Sequence, residues 1–114
     1  TNFNKIANQM LHNIKDDVLT NPSSYSNWLN LMTNYTRPFY EVAIVGHNAT
    51  LLKNELQNYY IPNIIIAGDF KENNTIPLLK DKFITDETFM YVCNLGTCKL
   101  PQTETQKAIA LINK

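Results

Sequence analysis

Four side chains in this sequence have types and positions that suit chemistry: Cys93, Cys98, His47 and Asp69. Three of them follow or end an apolar run, and Cys98 closes the loop that begins after Cys93. Tyr40 to Val45 leads into Gly46 and His47, Asn63 to Ala67 leads into Gly68 and Asp69, and Thr88 to Val92 leads into Cys93. If these runs are parallel strands, their carboxyl ends share one edge, which is where open parallel sheets gather ligands. A thiol, an imidazole and a carboxylate would then stand together. That is a nucleophilic set in which histidine activates the thiolate and the carboxylate orients the ring. The same residues have a plainer reading. Gly46 and Gly68 suit strand exits, His47 is a polar residue ahead of a helix, and Asp69 starts a loop.

The two cysteines leave two further options open. Four residues separate them, wider than the redox Cys-x-x-Cys spacing, and two are too few for a disulfide framework. As free thiols, Cys93 would be a small apolar filler at a strand end. As a bridge, the pair would close a loop of six residues and remove about 2 kcal/mol of unfolded-state entropy. A strand end and a loop containing Gly96 can bring the two Cα atoms within the ~4.4–6.8 Å that a disulfide requires. A redox role needs one sulfur exposed and acidified, and Lys99 and a helix beginning near Thr103 supply positive potential nearby. Zinc would need more soft ligands than Cys93, Cys98, His12 and His47 provide, so no metal is expected. A lone Gly46 does not make a dinucleotide fingerprint, so no cofactor is expected either.

These groups must be held by strands and helices. Tyr40 to Val45 is apolar nearly throughout, as in a strand covered on both faces of a parallel sheet. Ala49, Leu52, Leu56 and Tyr59 mark one face of a helix from about Asn48 to Tyr60, and Pro62 ends it. Asn63 to Ala67 repeats the first strand, which makes a β-α-β unit. Between Asp69 and Glu87 the pattern is irregular, with a solvated loop at Lys71 to Thr75 and a core-plugging helical turn at Ile76 to Leu79. Thr88 to Cys93 is the third strand. Thr103 and Gln106 have the spacing of a capping box for a last helix whose core face is Ala108, Ile109 and Ile112. The predicted fold is α/β: a small three-stranded parallel sheet in the order 2-1-3, with helices on both faces.

Two amphipathic helices precede this sheet. Phe3, Ile6, Ala7, Met10, Leu11, Ile14 and Val18 recur at helical steps. The second helix buries Tyr25, Trp28, Leu29 and Met32, with Asn21 as its N-cap and Pro22 at its first position. Arg37-Pro38 stops it, since the residue before proline is pushed out of the α region. The chain thus divides into a helical hairpin at 1–38 and an α/β domain at 39–114.

With 44% apolar side chains and ten basic against ten acidic groups, nothing draws the chain to nucleic acid or an anionic membrane by charge. No apolar run reaches the ~20 residues of a membrane span, and the start at Thr1 lacks the features of a signal peptide. A start in a helical pattern without Met suits a segment of something longer. Three sequons, at Asn34, Asn48 and Asn73, matter only in a secreted eukaryotic protein. A cytoplasmic setting is the expectation.

Tyr91-Val-Cys-Asn, then Cys98, then Pro101 resembles the C-terminal signature of the thioredoxin domain-containing, spermatogenesis-associated-protein-20-like family, a family of unknown function. Its members join a thioredoxin-like domain to an (α/α)6 barrel of six-hairpin-glycosidase type and a small tail. The resemblance runs from about Tyr40 to the end and places Cys93, Cys98 and Pro101 on the tail motif. It implies a C-terminal structural or interaction domain whose partners are the upstream domains of the same protein. The N-terminal hairpin would lie at the seam with the barrel, leaving Tyr25, Trp28 or Met32 more exposed than usual. It also leaves open a thiol–disulfide module that exchanges electrons with the thioredoxin-like domain through Cys93 and Cys98. The family's thioredoxin-like cysteines and barrel residues fall outside this chain, so no catalytic residue carries over and enzymatic activity is left undecided.

Overall fold

In the computed structural model, which describes residues 2–112, the chain forms two compact units divided between Arg37 and Pro38. The first is helical. Helix α1 spans Asn2–Thr20, a 3₁₀ turn follows at Pro22–Tyr25, and α2 spans Ser26–Thr36. Pro22 therefore opens a 3₁₀ turn rather than α2 itself, and Asn21 makes no side-chain cap bond there; its Oδ1 accepts from Ser23 Oγ instead. Arg37 ends α2 in an extended conformation, as the following proline demands.

The second unit runs β1 Tyr40–Val45, α3 Ala49–Gln57, β2 Ile64–Asp69, β3 Phe89–Asn94, β4 Thr97–Cys98 and α4 Thr105–Ala110. The sheet order is β2-β1-β3-β4. Strands β1 and β2 are parallel, with Tyr40 opposite Ile64 and Val45 opposite Asp69. Strand β3 is antiparallel to β1, pairing Glu41 with Cys93 and Val45 with Phe89. The expected order of the first three strands holds, but the sheet is mixed and has a fourth strand. The physical reason is the connection between β2 and β3. It contains no helix to carry the chain back along the sheet, and it delivers β3 at the end where β1 and β2 finish, so β3 runs the other way.

Central strand β1 has Val42, Ala43, Ile44 and Val45 fully buried, so both faces are covered. On one face Tyr40, Val42, Ile44, Met90 and Val92 pack with Ala49, Leu52 and Leu56 of α3 and with Ala108 and Ile112. On the other, Ala43 and Val45 pack with fully buried Leu79, backed by Ala67, Leu78, Phe83 and Tyr91. Helices α3 and α4 thus share one face, and the irregular segment between β2 and β3 covers the other. That corrects the expectation of helices on both faces. The capping box also fails to form: α4 starts at Thr105 with Glu104 as N-cap and no side-chain cap bond. Buried Thr105 instead donates its hydroxyl to Glu55 Oε2 on α3 at 2.6 Å.

Candidate functional site

At the end of β1, Gly46 has φ +132°, and a Cβ there would sit 2.3 Å from the Glu87 carbonyl oxygen and 2.6 Å from Thr88 Cα. Only glycine fits such an approach. The approach seats the end of β1 directly against the residues that lead into β3. Thr88 Oγ1 lies 3.0 Å from the amide of Asn48 and accepts its hydrogen bond, tying the β1–α3 turn to the start of β3.

His47 is exposed beside this turn, with its ring edge-on to Phe83 at 6.3 Å. Asp69 ends β2 at the same edge, and the Gly46 amide donates to its backbone carbonyl. Its carboxylate serves the following loop. Oδ2 accepts from Asn73 Nδ2 and Oδ1 from the Phe70 amide, both at 2.7 Å, while Asn73 Oδ1 accepts from the amides of Thr75 and Ile76. These bonds, led by the one from Asn73, hold the Asp69 pKa below its ordinary 3.8. Among the described residues, no hydrogen bond or ion pair joins Asp69 to His47.

Cys93 is at the opposite end of the sheet. Because β3 runs antiparallel, Cys93 faces Glu41 near the start of β1, four positions from Val45. At ~3.4 Å per residue this puts the sulfur more than ~13 Å from the His47 end. The structure brings His47 and Asp69 to one edge and separates both from the thiol, so the expected set of three does not assemble. Sequence could not reveal this, since an apolar strand reads alike in either direction.

Cys93 is instead bonded to Cys98. The two are directly opposite on β3 and β4, and the bond from Lys99 N–H to the Val92 carbonyl shows theirs to be the non-hydrogen-bonded kind of pair. There antiparallel strands approach most closely, and the Cα atoms are 3.8 Å apart, nearer than expected. Leu95 and Gly96, at φ +50° and +79°, form the two-residue turn of this hairpin. Both positive values fit a type I′ turn, whose usual Asn-Gly signal is missing because leucine takes the first place. Cys93 is buried while Cys98, Leu95 and Leu100 are exposed. Asn94 Nδ2 donates to the Phe39 carbonyl at 2.7 Å and Lys99 Nζ to the Leu111 carbonyl at 2.6 Å, docking the hairpin onto its unit.

Two clefts lie on the helix-covered face. One, of about 210 Å³, is lined by Ile44, Ala49, Lys53, Ile66, Gly68 and Phe70. The other, of about 450 Å³, lies between α3 and the start of α4. Among its lining groups, Thr105 donates to Glu55 and Gln106 to the Tyr59 hydroxyl, while Glu104 pairs with Lys107 beside it. Among the described residues, no three His, Cys, Asp or Glu side chains are grouped as metal ligands, and no helix is long and apolar enough to cross a membrane. Compared with known protein families, curated proteins and solved structures, the chain matches none of them.

Proposed function

We propose that this chain is a structural and interaction module, the C-terminal part of a protein that joins thioredoxin-like and six-hairpin-glycosidase-like domains, with those domains as its partners. The observation that carries the reading is the apolar stripe of α1, where Phe3 is 84% exposed and Ile6 and Met10 are each 49% exposed. Tyr25, Trp28 and Met32 are only half-buried. So much apolar surface on one short hairpin is the mark of a protein contact. The spacing of Cys93, Cys98 and Pro101 on the tail motif supports the same reading. The test is to read the coding sequence upstream of Thr1 and to compare amide exchange of α1 in this chain and in the extended protein. Helical hairpins behind a thioredoxin-like cysteine motif, with slower exchange in α1, are expected. A stop codon directly upstream, or unchanged exchange, overturns the proposal.

Exposure of Cys98 favours a second reading, a thiol–disulfide module in the cytoplasm. A partner thiolate would attack Cys98 Sγ and form a mixed disulfide, and Cys93 would leave as a thiolate with the bonding electron pair. A second partner thiol would then release Cys98, leaving the partner oxidised and this pair reduced. Burial of Cys93 opposes the first step, because a desolvated thiolate is a poor leaving group. Equilibration with a glutathione series decides: a potential below roughly −300 mV leaves the bridge as a staple.

A further inference from the structure

The outer edge of β2 is a strand-pairing surface whose hydrogen-bonding groups can be assigned. Tyr40 N–H donates to the Asn63 carbonyl at 2.8 Å, and Gly46 N–H donates to the Asp69 carbonyl at 3.0 Å. In a parallel ladder alternate residues turn both backbone groups to the same neighbour. Asn63, Ile65, Ala67 and Asp69 are thus committed to β1, and Ile64, Ile66 and Gly68 turn theirs outward. Among the described residues, no strand pairs with this edge. From Ile64 to Gly68 it carries no charge and no proline, the features that commonly blunt an exposed edge. Ile65 and Phe70 are each 55% exposed beside it.

We propose that this edge pairs with the same edge of a second copy of the chain, antiparallel, about a two-fold axis at Ile66. The occupant follows from self-complementarity. With Ile66 opposite its own counterpart, Ile64 falls opposite Gly68 on both sides of the axis, and every outward group finds a partner in about six hydrogen bonds. A shift by two residues would place Pro62, which has no N–H, opposite Gly68. In the central register a large side chain faces a position with none. Gly68 lines the 210 Å³ cleft, so the partner copy's isoleucine covers that opening, the kind of cross-strand pair that stabilises a sheet. Asp69 meets Asn63, so no like charges face each other. A contact carried by one short strand makes the dimer concentration-dependent rather than obligate.

Sedimentation of the whole chain over a concentration series should show the mass rising from one chain towards two. Ile66→Pro removes an outward N–H without touching the ladder to β1, and Ile65→Lys adds a charge beside the edge. Both should stay at the mass of one chain with unchanged circular dichroism, and if the proline variant loses its fold the lysine variant decides. Ile65 and Ala67 of the two copies are directly opposed in this register. Under mild oxidation, mixed Ile65→Cys and Ala67→Cys chains should therefore cross-link while neither does so alone. A wild-type chain that remains single throughout, a lysine variant that dimerises as well as wild type, or cross-linking that ignores the mixture would overturn the proposal. A monomer whose β2 amides become protected only on addition of an extended apolar peptide would also overturn it, in favour of a peptide-binding edge.

Discussion

The two ends of the sheet are secured by different means. Where β1 and β2 finish, backbone contact and side-chain hydrogen bonds do the work: Gly46 against Glu87 and Thr88, and Asp69 with Asn73. Where β3 finishes, a covalent bond closes a two-residue turn. The difference follows from topology. A parallel pair needs a long connection, and here its ends are held partly by groups brought from far along the chain, Glu87 and Thr88 against Gly46, and partly by the loop that follows, Asn73 on Asp69. An antiparallel hairpin offers neighbouring residues that one bridge can join.

Four perturbations test this contrast. Gly46→Ala should have the largest effect, about 3 kcal/mol or more, because the added methyl meets backbone that cannot move aside and φ is +132°. Urea titration would measure it, and a loss under about 1 kcal/mol would show that the end is looser than described. Replacing Cys93 and Cys98 together by alanine should cost about 2 kcal/mol from loop closure. That loss should leave the amide-exchange protection of α3 and β1 unchanged. Leu95→Asn should stabilise by about 0.5–1 kcal/mol, since asparagine tolerates positive φ better and this leucine, 94% exposed, loses no packing. Thermal melting would read the gain, and a drop in Tm would mean that Leu95 is held by contacts in solution.

The smallest effect belongs to Asp69. Its folded pKa lies below the ordinary 3.8, so ionisation favours the folded loop above that value, and the contribution is lost as pH falls through the lower folded pKa. Amide protection factors at Phe70 and Thr75, the measured exchange rate set against the intrinsic rate at each pH, should fall below about pH 3.8 before those of the hairpin end respond. Asp69→Asn should leave those protection factors unchanged over the same range.

Much of the sheet was legible because burial dictates its composition. Tyr40 to Val45 could only be a covered strand, and β2, α3 and the β3 segment each followed from a run or a period. Direction was not legible for β3, where Phe89 to Asn94 carries no polarity that a neighbouring strand reads. The fourth strand was hidden because Leu95 stands where asparagine would have announced a hairpin. Thr103 and Gln106 had capping-box spacing, but α4 starts two residues past Thr103, and the Thr105 hydroxyl goes to Glu55 across a contact of 50 residues in sequence. The candidate site failed with the direction of β3, since His47 and Asp69 depended only on β1 and β2 while Cys93 depended on which way β3 ran. The role of Asp69 lay in Asn73, whose position among polar loop residues gave no sign of it.

The antiparallel β3 also shapes how the chain reaches its fold. The β3–β4 turn closes over two residues and the β1-α3-β2 unit over a single helix, so both can form early from local contacts. Joining them requires β1 and β3 to find a register between residues roughly fifty apart, and such long-range pairings slow folding. Leu79, from the middle of the intervening segment, is buried against Ala43 and Val45. If it docks on β1 before β3 pairs, it shortens that search by fixing the segment on the sheet. Leu79→Ala should then lower the refolding rate, whereas loss of the hairpin bridge should show mainly in unfolding, a division that the two arms of a chevron plot would display.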